Sequence, residues 1–253
     1  MEVRLDPTLP FQLKDGMVWV GARVKGHEIN GILDSDSDQT FVDTETAERS
    51  GLQNRKTQSA SVFEGVSFDL GPSTLIAPRP TILPIRNQIP GMDFILGFDA
   101  IGRIPFTIDY STSIIRLGAL PQGRKVPFLS GRDVPSTRVR FSSLEVNAVV
   151  DTGAPAGLDI PFPWIKSNLP SVQFEQSAER KDLGSKYEAL PFMINEVLVG
   201  GAKLSKVKAA AIRRKDNPLE NQGDNSATIG NLILSRFAQI GIDGINRNCV
   251  FVT

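Results

Sequence analysis

A chain of 253 residues with 28 basic and 28 acidic side chains carries no formal net charge, which removes any bulk electrostatic case for a nucleic-acid or anionic-membrane partner. Its 40% hydrophobic and 22% charged residues fit a globular protein long enough for one large core or two of ordinary size. One cysteine and one histidine exclude a disulfide framework, a cysteine zinc cluster and a multi-histidine metal centre, so no metal and no cofactor is expected.

In chain order, Met1-Glu2-Val3-Arg4-Leu5 lacks the charged-then-apolar pattern of a signal peptide. That leaves the compartment open between the cell interior and export with the signal already removed. No apolar stretch reaches the length of a membrane span. The local texture is β: short runs of Val, Ile, Thr and Phe broken by Gly, Pro, Asn and Asp. Met17–Val24 reads as a strand, and His27 sits in a turn before the next one. A Ser-His-Asp triad would have to rest on His27 alone. The apolar run Ile29–Leu33 enters Asp34-Ser35-Asp36-Ser37. Residues 43–50 read as a short helix stopped by Gly51. Phe94-Ile95-Leu96-Gly97 leads into a short helix over 98–101, then Phe106–Tyr110 and a strand over 113–117. Residues 122–136 hold Gly123, Pro127, Gly131 and Pro135 and read as a connection.

Beyond it, Val146–Val150 runs into Asp151-Thr152-Gly153-Ala154. Arg213-Arg214-Lys215 reads as a solvated loop between strands. Ala227-Thr228-Ile229-Gly230 precedes a short helix over 232–237, then Ile240–Gly244 and a strand over 249–252 in which Cys249 reads as a small buried hydrophobe. Seventeen prolines argue against long helices. The two series share one order: Asp turn, variable middle, apolar-apolar-Gly, short helix, strand, Ile-Asp turn, strand. Such agreement marks an internal duplication. It predicts an all-β protein of two lobes, 1–122 and 123–253, in one chain, and a monomer.

An Asp at the end of a buried strand sits on the floor of a cleft. A small residue after the hydroxyl lets the backbone turn sharply and aim an N–H at the carboxylate. Ser35 and Thr152 can each tie their loop to the opposite one. Two facing carboxylates cannot both ionise freely and so share a proton. The pair is then acid and base at once and needs no metal.

The chain resembles the aspartic peptidases, specifically their retropepsin-like members. Asp151-Thr152-Gly153-Ala154 matches that family's signature, and Asp34-Ser35-Asp36-Ser37 is similar to its Asp-Ser-Gly-Ser form with Asp36 in place of Gly. Thr40-Phe41-Val42-Asp43 is similar to the stretch that follows. Ile95-Leu96-Gly97 and Thr228-Ile229-Gly230 resemble the motif that supports each catalytic loop from beneath. The resemblance implies a bilobal fold of two retropepsin-like β-barrel lobes with a central cleft. It implies Asp34 and Asp151 as the catalytic dyad, with Ser35, Asp36, Thr152 and Gly153 supporting and orienting it, and an extended peptide or protein as substrate. It further implies a flap from each half, over residues 59–70 with Phe63 and Gly65 and over residues 183–199 with Gly184 and Tyr187. Asp36 adds bulk and a third negative charge beside the pair. It therefore opens the alternative of a catalytically impaired peptide-binding or structural module.

Overall fold

A computed structural model describes residues 7–52, 55–56, 61–62, 65–71, 73–181, 186–214 and 226–253. Half of the chain is strand and 11% helix, and the fold is the expected all-β pair of lobes.

Each lobe starts from a hairpin that ends on an aspartate. In the first, Met17–Val24 pairs antiparallel with His27–Leu33. Lys25 and Gly26, both at positive φ (48° and 84°), form the two-residue turn that suits strand twist. In the second, Ser136–Phe141 pairs with Leu144–Val150. A strand from much later in the chain then inserts beside each aspartate strand. Phe94–Leu96 runs parallel to Gly31–Leu33 and antiparallel to Phe41–Val42. Ala227–Ile229 runs parallel to Ala148–Val150 and antiparallel to Leu158–Asp159. In both halves the loop holding the aspartate crosses between two strands that the inserted strand separates.

The lobes share a floor. Thr8–Pro10, Ile114–Leu117 and Phe106–Asp109 join Gln239–Asp243, Asn248–Val252 and Lys125–Pro127 in one six-stranded sheet. Its seam pairs Phe106 with Ile242 and Asp109 with Gln239. One apolar core runs through both halves, from Val18, Leu33 and Leu96 to Val150, Ile229 and Ile240. Cys249 is fully buried in it, which pushes its thiol pKa far up.

Some expectations shift. Residues 122–136 include the strand Lys125–Pro127, held by pairing with Asn248–Val250. The helix Phe162–Asn168 has no counterpart in the sequence reading; its proline lies in the first turn, where a missing N–H costs nothing. The last short helix spans Asn231–Leu234. Arg213 is not a loop residue: it ends the strand Ala202–Arg213 and bonds Glu188 at 2.8 Å. His27 stands exposed at the far end of its strand from Asp34. Among the described residues, no helix is long and apolar enough to cross a membrane.

Candidate active site

The two Asp turns meet between the lobes and lock each other. Ser35 Oγ donates to Val150 O at 2.5 Å, and Thr152 Oγ1 donates to Leu33 O at 2.7 Å. In return, Ser35 N donates to Thr152 Oγ1 and Thr152 N to Ser35 Oγ, both at 3.1 Å. Both hydroxyl residues are fully buried, where polar groups must be paired. The four bonds are related by the same twofold as the sequence repeat.

The aspartates ride on this lattice. Asp34 Oδ1 accepts from Asp36 N at 3.1 Å and Ser37 N at 3.0 Å, and Asp151 Oδ1 accepts from Gly153 N at 2.8 Å. The Asp34 carboxylate lies directly over Gly153: a Cβ there would stand 2.7 Å from Asp34 Cγ. Burial pushes the Asp34 pKa up, opposed by the Ser37 and Asp36 N–H groups. Burial also drives Asp151 well up, reinforced by the negative charges of Asp34 and then Asp36. Each carboxylate thus accepts from two backbone N–H groups, Asp34 from Asp36 and Ser37 and Asp151 from Gly153 and Ala154, while burial holds both above the usual carboxylate range, as for a pair that shares one proton.

The turns differ at one position. Asp36 occupies the place that Gly153 holds in the second loop. Neither residue has a positive φ, so glycine serves here to give room rather than backbone freedom. Asp36 keeps its N–H bond to Asp34 and adds a charge that Asp151 feels.

Glycines also support the loops from below. A Cβ at Gly97 would meet Gln39 O at 2.2 Å and Ser37 O at 2.9 Å; one at Gly230 would meet Ala156 O at 2.5 Å and Ala154 O at 2.8 Å. The next N–H in each half, Phe98 N and Asn231 N, donates to Ser37 O and Ala154 O at 2.7 and 2.9 Å. Asp34 N and Asp151 N donate to Leu96 O and Ile229 O, both at 3.0 Å.

Sequence reasoning passed over Asn231 and Tyr110. Asn231 Nδ2 donates to Gly16 O and Thr152 O at 2.8 Å, and Asn231 Oδ1 accepts from Tyr110 Oη at 2.7 Å. Tyr110 is partly buried against the core; its burial raises its pKa, and the Asp151 charge raises it further. The signal was available: an amide follows the second supporting glycine where Phe98 follows the first.

Of the flap residues, Phe63 and Gly184 lie outside the described residues. Gly65 is exposed at φ +62° and its N–H donates to Pro78 O at 2.9 Å. Tyr187 sits on the strand Lys186–Val199, in register with Arg180, and packs on Ala189, Ala210 and Ile212.

No family model matches the chain. Among curated proteins it is similar to Protein DNA-DAMAGE INDUCIBLE 1 of Arabidopsis thaliana, 27% identical over 189 residues, which is 68% of this chain and 43% of that protein. It is also 27% identical over 130 residues to the UBA domain-containing protein Mud1 of Schizosaccharomyces pombe, 47% of this chain and 37% of that protein. With DNA damage-inducible protein 1 of Cryptococcus neoformans it shares 27% identity over 150 residues, 56% of this chain and 34% of that protein. The chain thus spans less than half the length of each. Proteins of the DNA damage-inducible 1 type carry a retroviral-protease-like aspartic domain, and it is to such a domain that this two-lobed chain is similar.

Proposed function

We propose that the chain is a single-chain aspartic endopeptidase, with lobes 1–122 and 123–253 each supplying one catalytic aspartate. The observation that supports this reading is the reciprocal Ser35–Val150 and Thr152–Leu33 lattice, which ties together the two loops that carry Asp34 and Asp151; in this reading the two carboxylates share one proton. A water held by the pair gives a proton to ionised Asp34 as its oxygen attacks the peptide carbonyl carbon, and protonated Asp151 donates to the carbonyl oxygen. The resulting gem-diol collapses as Asp34 returns its proton to the leaving nitrogen and ionised Asp151 takes a proton from a diol hydroxyl, so that the C–N bond breaks and the pair again holds one proton. Ser35, Thr152, Gly153 and Asp36 hold the pair in register without touching the reacting atoms. The substrate is an extended peptide laid between the lobes by strand-like backbone contacts, and the working unit is a monomer.

The test is hydrolysis of a denatured protein across mildly acidic to neutral pH. Asp151→Asn and Asp34→Asn should each lose on the order of 10²–10⁴-fold in rate. Turnover equal to the parent's in either variant refutes the dyad.

Asp36 favours a second reading, a peptide-binding module without turnover, since it introduces a side chain and a charge where the other loop has neither. A parent that is inactive while Asp36→Gly cleaves would support that alternative.

A further inference from the structure

The sheet faces that lead into the two aspartates differ in chemistry between the lobes, and strand register shows how. Ile32 and Val149 each lie two residues before an active-site aspartate, on the sheet face opposite the common core. In the first lobe the row through Ile32 reads Trp19, Ile32, Ile95, Phe41. It is apolar and closed over by Ile85 and Met92, both fully buried. In the second lobe the row through Val149 reads Ser136, Val149, Thr228, Asp159, Ala210. This row is polar at Ser136, Thr228 and Asp159, and Arg180 reaches across to it from Ala178–Lys181, the strand paired with Tyr187. Its Nη1 holds both Asp159 oxygens at 3.0 and 3.1 Å. Asp159 is 12% exposed and Arg180 35%. Burial raises the Asp159 pKa, and Arg180 and then Arg214 pull it back. The Arg214 guanidinium stands 4.9 Å over the Tyr187 ring, so two cations attend one carboxylate.

Arg180 engages Asp159 through one nitrogen. Among the described residues its Nε and Nη2 make no hydrogen bond, and the side chain is accessible. A guanidinium held from behind by a largely buried carboxylate, and with its side chain 35% exposed, is preorganised to grip a second carboxylate. Two strand spacings sideways and two residues along the strand place Asp159 about 12 Å from Asp151. An extended peptide covers that distance in roughly three residues.

Resting on the peptidase reading above, we propose that Arg180, braced by Asp159, forms a subsite for an acidic side chain two or three residues from the scissile bond, on the second lobe's side. The enzyme then cleaves segments that carry Asp or Glu at that point.

The full chain is assayed with matched peptides that differ only in Glu, Gln or Lys at those positions on either side of the bond. Glu should exceed Gln by at least about tenfold in kcat/KM at one position, as expected for a charge-assisted pair, with Lys poorest. In Arg180→Met the Glu-to-Gln ratio should fall to about one; Arg180→Lys, which keeps the charge but loses the planar fork, should retain an intermediate ratio. Equal cleavage of Glu and Gln by the parent, a preference surviving Arg180→Met, or a preference for Lys overturns the subsite. The same peptides are titrated into Asp151→Asn, with and without Arg180→Met, and binding is read by calorimetry. If the parent cleaves none of them, the peptidase reading fails alone: Glu-selective binding lost with Arg180 still supports the subsite, and binding blind to Glu overturns it.

Discussion

At position 36 one carboxyl group replaces a hydrogen atom, and its effect is electrostatic before it is steric. The turn keeps its N–H bond to Asp34, so the loop is preserved. What changes is Asp151, whose raised pKa owes part of its elevation to Asp36. A proton-holding acid with a raised pKa stays protonated to higher pH, which extends the alkaline limb of activity. Asp36→Asn, which removes the charge and keeps the shape, should therefore move that limb to lower pH in a kcat/KM profile; an unmoved limb would show that Asp36 does not reach the pair. The hydroxyls make a different prediction. Thr152→Val strips the donor from buried Leu33 O and the acceptor from Ser35 N, and Ser35→Ala does the same to Val150 O and Thr152 N. Each should cost about 1–3 kcal/mol in urea unfolding. The double variant should cost less than the sum, since the four bonds form one network.

Secondary-structure elements show which parts of this architecture are written locally. The aspartate strands, the two supporting glycines and the short helix Phe98–Ile101 were legible, because each combines an apolar run with turn or capping chemistry inside a few residues. The strand Lys125–Pro127 was not. Its alternation is weak, and it exists through pairing with residues more than a hundred positions later. The helix Phe162–Asn168 was hidden by counting its proline as a breaker when it opens the first turn. The Asp159–Arg180 pair was equally invisible, since only tertiary strand pairing brings the two residues together. The glycine motif, by contrast, carries a prediction from sequence and structure alike. Gly230→Ala puts a methyl 2.5 Å from Ala156 O and 2.8 Å from Ala154 O, both backbone atoms of the loop that carries Asp151. Overpacking there should cost about 1–3 kcal/mol and should depress kcat more than KM, because it displaces Asp151 rather than the peptide-binding strands. Thermal melts alongside steady-state kinetics separate the two effects.

Across the whole molecule, the aspartates of the two turns and Asp109 in the six-stranded sheet pull stability in opposite directions with pH. At the cleft, Asp34 and Asp151 have raised pKa values. The native state there binds more protons than the unfolded chain, so stability falls as pH rises from about 4, the unfolded Asp value. At the floor, Asp109 is pushed up by burial, but Ser111 Oγ, Gln239 Nε2, Arg116 Nη2 and Thr112 N outweigh that and hold it far below the usual range. Its stabilisation is present above the unfolded value and is lost as pH falls below about 4. Gln239 comes from the other half of the chain and pairs with Asp109 at the seam of the six-stranded sheet, so that loss weakens a bond between the two halves. The opposing slopes place maximal stability in mildly acidic solution. Asp109→Asn should flatten the acid side of a stability-against-pH curve, lowering stability at pH 6 far more than at pH 2. Asp151→Asn should flatten the other side, raising stability at neutral pH and leaving it nearly unchanged near pH 3. Urea unfolding at those pH values reads both. Parallel curves for Asp109→Asn and the parent would show that the seam is not held by this carboxylate.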